Sequence, residues 1–495
     1  MAETRLYSLF IFVIAMRKIL CILSAVLMTS MVSAQSLEEQ FNAFRQAAED
    51  HYASFREAAN AHYAEFLRSA WEYYEQTPAI PRPEDNPTPP VIYKDDKKKH
   101  RDEEIKADPV PQPLPEPTPQ PIEPVIENDA PMDVVRVEFY GSTVEVRFPQ
   151  TDRLSLTKIN GDRIAEAWEQ VAKGKYENLL YDCLAARDTY RLSDWTYIQL
   201  LQKITEKKYG RSNEAVLLQA YLYANSGYKM RLGASPDGQI HLLVGSNYIL
   251  YDRSFYSLTE GRFFPLTEVN GGLAICQGSF EGEKPFSLLM TKEPKLEAKN
   301  EQAQTRKART GLTATCLVNR NLIDLYNDYP TGQYGEDFGT RWAAYADAPM
   351  PELVKKDLYP ALMEGVRGVP EAQAVNKLLN WVQTAFEYEY DDKVWGQDRA
   401  FFPTESLYYP YCDCEDRSIL FSRIVRDLLN IDVVLLYYPG HLATAVKLNQ
   451  EVNGDYLIVG GQKYIVCDPT YIGAPMGRTM PGMDNSSAKV IALKR

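Results

Sequence analysis

Apolar positions along the chain follow three rhythms, and each predicts a different element. Phe44, Phe55 and Phe66 recur every 11 residues, with Tyr52, Tyr63 and Tyr74 on the same repeat. Eleven residues span about three helical turns, so an amphipathic helix with one aromatic stripe is predicted over residues 36–77. That stripe must be covered by a second copy of itself in a slightly right-handed coiled coil, by an envelope component, or by its own domain. Strict alternation takes over in residues 135–140 and 143–148, a hairpin pattern around Gly141 and Ser142. Helical spacing returns at 163–183, at 193–208 and most clearly at 372–390. There Leu378, Leu379, Trp381, Val382 and Phe386 share one face. Residues 256–350 carry short alternating segments broken by Gly and Pro, and read as β-rich. The apolar runs 431–437 and 455–459 read as strands.

Composition changes this picture in two places. Residues 78–131 hold nearly half of the chain's 31 prolines around a charged island at 94–106. Such a stretch cannot build a core, and reads as a disordered, partly polyproline spacer holding the helix away from the globular part. At the start, Met16, Arg17 and Lys18 precede an apolar run to Val32, and Val32, Ser33 and Ala34 fit a small-residue cleavage site before Gln35. Residues 1–34 therefore read as a secretory signal whose true start is Met16, or as an uncleaved membrane anchor, and export points to the periplasm or cell surface. The rest of the 495-residue chain divides into an amphipathic helix at 36–77, the spacer at 78–131, an α+β domain at 132–255, the β-rich region at 256–350 and a final domain at 351–495. A net charge of −13 and a pI near 5.1 argue against a nucleic-acid partner.

The candidate chemistry lies in the last domain. Residues 411–418 read Tyr-Cys-Asp-Cys-Glu-Asp-Arg-Ser and run directly into a helical pattern ending near Asn430. Cys414 falls in the first turn, where unpaired amides and the helix dipole favour a thiolate nucleophile. His441 and Asp468 follow on predicted strands. A His can take the thiol proton and return it to a leaving amine, and a carboxylate fixes the imidazole tautomer. Cys412, Cys414, Cys467 and His441 form an alternative zinc set, but one residue between Cys412 and Cys414 is short for paired metal ligands.

The order helix with Cys, strand, strand with His, strand with Asp resembles the transglutaminase-like superfamily, above all its bacterial papain-like members with a Gly-Asp-Cys-Glu-Asp motif. The resemblance covers roughly the last quarter of the chain and differs at Cys412, where that motif has Gly. It implies a transglutaminase-like (papain-like) α+β domain with the triad Cys414, His441 and Asp468, acting on a peptide or protein amide, with no cofactor and no metal. It also implies hydrolysis ahead of amine transfer. The Cys414 amide is one expected oxyanion donor; the sequence does not select the second, for which Trp381 and Trp395 are candidates. If that fold holds, Cys412 and Cys467 lie near enough to pair.

Residues 193–255 repeat the same order, His241 standing for His441 and Asp252 for Asp468, while the nucleophile position falls at Arg211, Ser212 or Asn213. They read as a degenerate unit without a thiol. The long aromatic loop 391–411 is expected to shape substrate binding or to cover a sheet edge.

Overall fold

Two hydrophobic cores organise the chain in a computed structural model, which describes residues 37–83, 87–95, 101–111, 118–150, 153–298 and 301–494. The fold is mixed α+β. The expected signal segment, residues 1–34, lies outside the described residues. Among the described residues no helix is long and apolar enough to cross a membrane.

The first core is built by helices Gly161–Lys173, Glu177–Thr189, Asp194–Tyr209 and Asn213–Asn225 with a six-stranded antiparallel sheet. Trp168, Leu200, Leu217, Leu232 and Val244 meet there, all but excluded from water. The sheet order is Trp71–Tyr74, Leu273–Cys276, Met230–Ala234, Ile240–Ser246, Gly261–Pro265, Tyr256–Leu258. The boundary expected at residue 255 therefore falls inside one sheet. Phe263, Leu273 and Ile275 are buried and must complete the apolar surface that the earlier strands leave open. The hairpin Met132–Phe139 with Ser142–Pro149 forms as predicted, its two-residue turn made by Tyr140 and Gly141, both at positive φ.

The helix Leu37–Ser69 divides at residue 55 between two compact parts of the chain. From Arg56 on, its buried face is Asn60, Tyr63, Ala64 and Leu67, packed into the first core, while Phe55 is 53% exposed. Trp168 donates its indole N–H to Asn60 Oδ1 at 3.1 Å. The third copy of the repeat stays helical only from Phe66 to Ser69. Trp71–Tyr74 pairs with Leu273–Cys276 at the sheet edge, so Tyr74 lies opposite Leu273 and leaves the stripe.

The proline-rich stretch, expected as a free spacer, is bound to the folded part wherever it is described. Ile80 accepts from the Asp252 amide at 2.9 Å, Val91–Ile92 pairs in parallel with Tyr471–Ile472, and Asp108–Pro109 adds the edge strand beside Lys489–Ala492. Extended proline-rich backbone makes no internal hydrogen bonds, so the amides between prolines are free to complete sheet edges, where a missing N–H does least harm.

The second core belongs to a sheet ordered Tyr456–Val459, Gln462–Cys467, His441–Val446, Val433–Tyr438, Lys489–Ala492, Asp108–Pro109. Helices Thr340–Ala346, Glu352–Val366, Glu371–Thr384 and Cys414–Leu429 pack with it through Trp342, Leu358, Leu379, Phe421 and Leu435. This core also takes in Ala314, Cys316, Val318 and Leu322, so it starts well before residue 351.

Candidate active site

The helix that carries Cys414 is held from several sides. Asp413 donates its backbone N–H to Asp416 Oδ2 at 3.3 Å, and Phe401 donates to Asp416 Oδ1 at 2.8 Å. The Arg417 guanidinium donates to the carbonyls of Gln383 and Phe386 at 3.2 and 3.0 Å. Ser418 Oγ donates to the Leu442 carbonyl at 2.7 Å, tying the helix to the strand His441–Val446. Asn430 ends the helix in the left-handed conformation. Cys414 thus occupies the first helical position beside the start of the histidine strand.

His441 and Asp468 meet as the sequence expects. His441 Nε2 lies 2.8 Å from Asp468 Oδ2, with both side chains almost wholly buried. Asp468 Oδ1 accepts from the amides of Thr470 and Tyr471 at 2.8 and 3.1 Å. A carboxylate surrounded by donors accepts only, so the proton between the pair sits on Nε2. Nδ1 is buried without a partner among the described residues. His441 and Cys414 both line a cavity of about 740 Å³, together with Trp342, Tyr390 and Tyr437. The Cys414 sulfur is also within hydrogen-bonding reach of the Leu442 amide, next to His441.

The thiol's electrostatics differ from the sequence expectation. Cys414 Sγ donates to Glu415 Oε2 at 3.1 Å. Burial, then the negative charges of Glu415 and Asp413, push the thiol well above its ordinary value. A helix N-terminus is worth about 0.3–2 kcal/mol to an anion, and burial with two adjacent carboxyl groups outweighs it. The resting group is a neutral thiol.

Around it gathers a buried acidic cluster. Oxygens of Asp391, Asp398, Asp413, Glu415 and Asp416, with the sulfur of Cys414, lie within 4.8 Å of one another in overlapping trios. A small cation could bridge them, and protons fill that place in the free protein. Asp391 is raised to about 8, first by burial and then by Glu415, and Asp413, Glu415 and Asp416 are raised mainly by burial. The zinc set considered from sequence does not converge, since none of the metal-spaced groups among the described residues contains Cys412, Cys467 or His441.

Cys412 and Cys467 are free and buried. The Cys412 sulfur faces the Glu387 carbonyl at 3.9 Å, and the residue is not part of the cavity wall. Trp381 packs against Phe386 in the core and Trp395 against Phe401 and Tyr409; neither lines the cavity, so neither is placed to hold an oxyanion there.

Gln383 is the residue that pattern reading passes over. Its amide donates to the carbonyls of Asp468, Tyr471 and Ala474 at 3.0, 2.8 and 3.0 Å and accepts from Gly473 N at 3.1 Å, bracing the loop that carries Asp468. The signal in the sequence was only its place beside Val382 in the predicted amphipathic helix; the fold buries it to 2% exposure. Pro81, Arg82, Pro83 and Pro87 also line the cavity, and Thr88 donates to the Gly440 carbonyl at 2.8 Å.

In residues 193–255, read from sequence as a degenerate unit, the expected counterparts do not assemble. His241 ring nitrogens bond Thr267 and Ser235 at 2.9 and 3.1 Å, and Asp252 pairs with Arg82 at 2.7 Å. Asn213, at the helix start, accepts from Ile240 N and donates to the Gly238 carbonyl. Comparison with known proteins finds no family model, no curated protein and no solved structure that matches this chain.

Proposed function

We propose that the last domain is a transglutaminase-like cysteine hydrolase or acyltransferase acting on amide bonds of peptides or proteins. The observation that carries this reading is the buried His441–Asp468 pair with a free Nδ1, lining the same cavity as Cys414 at the start of a helix. In the reaction the Cys414 sulfur attacks the amide carbonyl carbon while His441 Nδ1 takes the thiol proton. The C–S bond forms, the C–N bond breaks, and His441 returns that proton to the leaving amine. Water or an incoming amine then attacks the thioester and restores the thiol. Because the resting thiol is neutral, proton transfer accompanies attack and does not precede it. Asp468 stabilises the imidazolium, Gln383 positions Asp468, and the Cys414 amide supplies one oxyanion donor.

A second reading, a catalytically silent scaffold of the same fold, is favoured by one contact: the thiol is engaged by Glu415. Intact-mass measurement with a panel of peptide amides and activated esters separates the two. The enzyme reading expects one acyl group per chain, lost in Cys414→Ala. A panel that acylates neither the parent nor the variant favours the scaffold. The N-terminal helix as a self-association or envelope-contact element, with export through residues 1–34, completes the proposed setting.

A further inference from the structure

The proline-rich stretch crosses the candidate active site in two described runs, residues 78–83 and 87–95. Pro81, Arg82, Pro83 and Pro87 line the cavity together with Cys414 and His441. The Thr88 amide donates to the Gly440 carbonyl at 2.8 Å, the acceptor immediately before His441. Three residues on, Val91–Ile92 lies parallel to Tyr471–Ile472, and the Tyr93 amide donates to the Ile472 carbonyl at 2.9 Å. Main-chain acceptors beside His441 and just past Asp468 are thus in use by an extended peptide, the chain's own. None of the described residues from 78 to 95 is buried. Further along the same stretch, Ile105 and Val110 are 1% and 5% exposed within packed clusters. The run over the site is therefore held mainly through its backbone, and the run beyond it by packing.

We infer that the groove formed by Gly440 and the Tyr471–Ile472 edge is the seat of an extended peptide substrate, and that residues 80–83 and 87–93 occupy this seat in the free chain. Strand-like recognition uses main-chain donors and acceptors, so it accepts many sequences and selects for an extended backbone. A substrate lying in the groove needs the Gly440 and Ile472 carbonyls that Thr88 and Tyr93 hold, so strap and substrate compete. Being part of the same chain, the strap competes at a high effective concentration. What stays open is the cavity of about 740 Å³, room for a small molecule but not for a peptide that must also lie in the groove. The substrate is then a backbone-read peptide segment, and the strap holds the enzyme in check until it is displaced. This inference rests on the cysteine-enzyme reading for its role, but occupancy of the groove is measurable without catalysis.

Thr88→Pro and Tyr93→Pro each delete one strap amide, and neither residue lines the cavity. Proline suits both places, since Thr88 already precedes Pro89 and Tyr93 follows the strand Val91–Ile92. The full chain and the double variant are treated with two reagents that share one warhead, iodoacetamide and iodoacetyl-(Ala-Ser)3 amide, and labelling of Cys414 is followed by intact mass and peptide mapping. The peptidyl reagent is expected to label the double variant about tenfold faster than the parent, while the iodoacetamide rate changes less than twofold. Equal peptidyl rates overturn the proposal, and so does a matching rise with both reagents, which reports a loosened site and no vacated groove. Either single substitution carries the test if the double variant does not fold. If Cys414 resists both reagents in every form, calorimetry decides: the acetylated peptide amide of residues 87–95 binds the double variant at least tenfold more tightly than the parent, or the proposal falls. Peptide binding without any acylation of Cys414 by amides or activated esters sinks the enzyme reading alone. Acylation by peptide amides at equal rates in parent and variants sinks only the strap.

Discussion

Two parts of this chain share a frame and differ in what the frame holds. Asn213–Asn225 leads into Met230–Ala234 and Ile240–Ser246, as Cys414–Leu429 leads into Val433–Tyr438 and His441–Val446. In each the second strand is antiparallel to the first and carries a histidine at or next to its start. In the first unit every candidate group is spent on structure: Asn213 staples the helix start to the Gly238–Ile240 turn, and His241 is held at both nitrogens. In the second, the histidine is held at one nitrogen only and a thiol takes the helix start. Reactivity therefore depends on which polar atoms are left unsatisfied, and the backbone plan does not decide it.

The largest expected effect tests that division. His441→Ala should lower acylation of Cys414 by about 10³-fold or more, because triad members act as a unit, while His241→Ala should leave it nearly unchanged. Acyl-enzyme formation followed by intact mass reads both, and similar losses would break the comparison by pointing to one site shared by both units.

The acidic cluster belongs to the second unit alone and gives it a pH signature. Asp391 titrates near 8 in the folded chain, against the ordinary carboxyl value of about 4. Between those values the folded state binds the extra proton, so stability should fall as pH rises from about 4 to 8. Asp391→Asn should flatten that slope in urea midpoints taken across the window. An unchanged slope would mean that other groups set it.

Gln383 sharpens the contrast at the level of positioning. Gln383→Ala removes four hydrogen bonds from the Asp468 loop and leaves buried carbonyls unpaired, which should cost about 2–4 kcal/mol. Denaturant unfolding measures the loss, and Gln383→Glu, which keeps the size but not the donors, should restore little of it.

The smallest effect is expected where the proline-rich stretch crosses the cavity wall. The Arg82–Asp252 pair is partly exposed, so Arg82→Ala should change stability by less than about 1 kcal/mol. A thermal shift larger than a few degrees would show that this stretch is bound more through that one ion pair than through its backbone hydrogen bonds.

By itself the sequence determined the mixed α+β class, the hairpin at 132–149, the helix after Glu371 and the pairing of His441 with Asp468. Those follow from local periodicity and from side chains whose chemistry has few uses. Tertiary structure decided the rest. The end of the third aromatic repeat became a strand because the edge of the first sheet offered Trp71–Tyr74 a ladder. The proline-rich stretch became a strap because two sheet edges accepted its amides, a pairing between residues hundreds of positions apart that composition cannot report. The Cys414 thiol became neutral because the fold buries it, and burial leaves the charges of its neighbours Glu415 and Asp413 unscreened. Helix position is a local property that a sequence displays, whereas burial and the sum of neighbouring charges exist only once the chain has folded, and here they are the stronger terms.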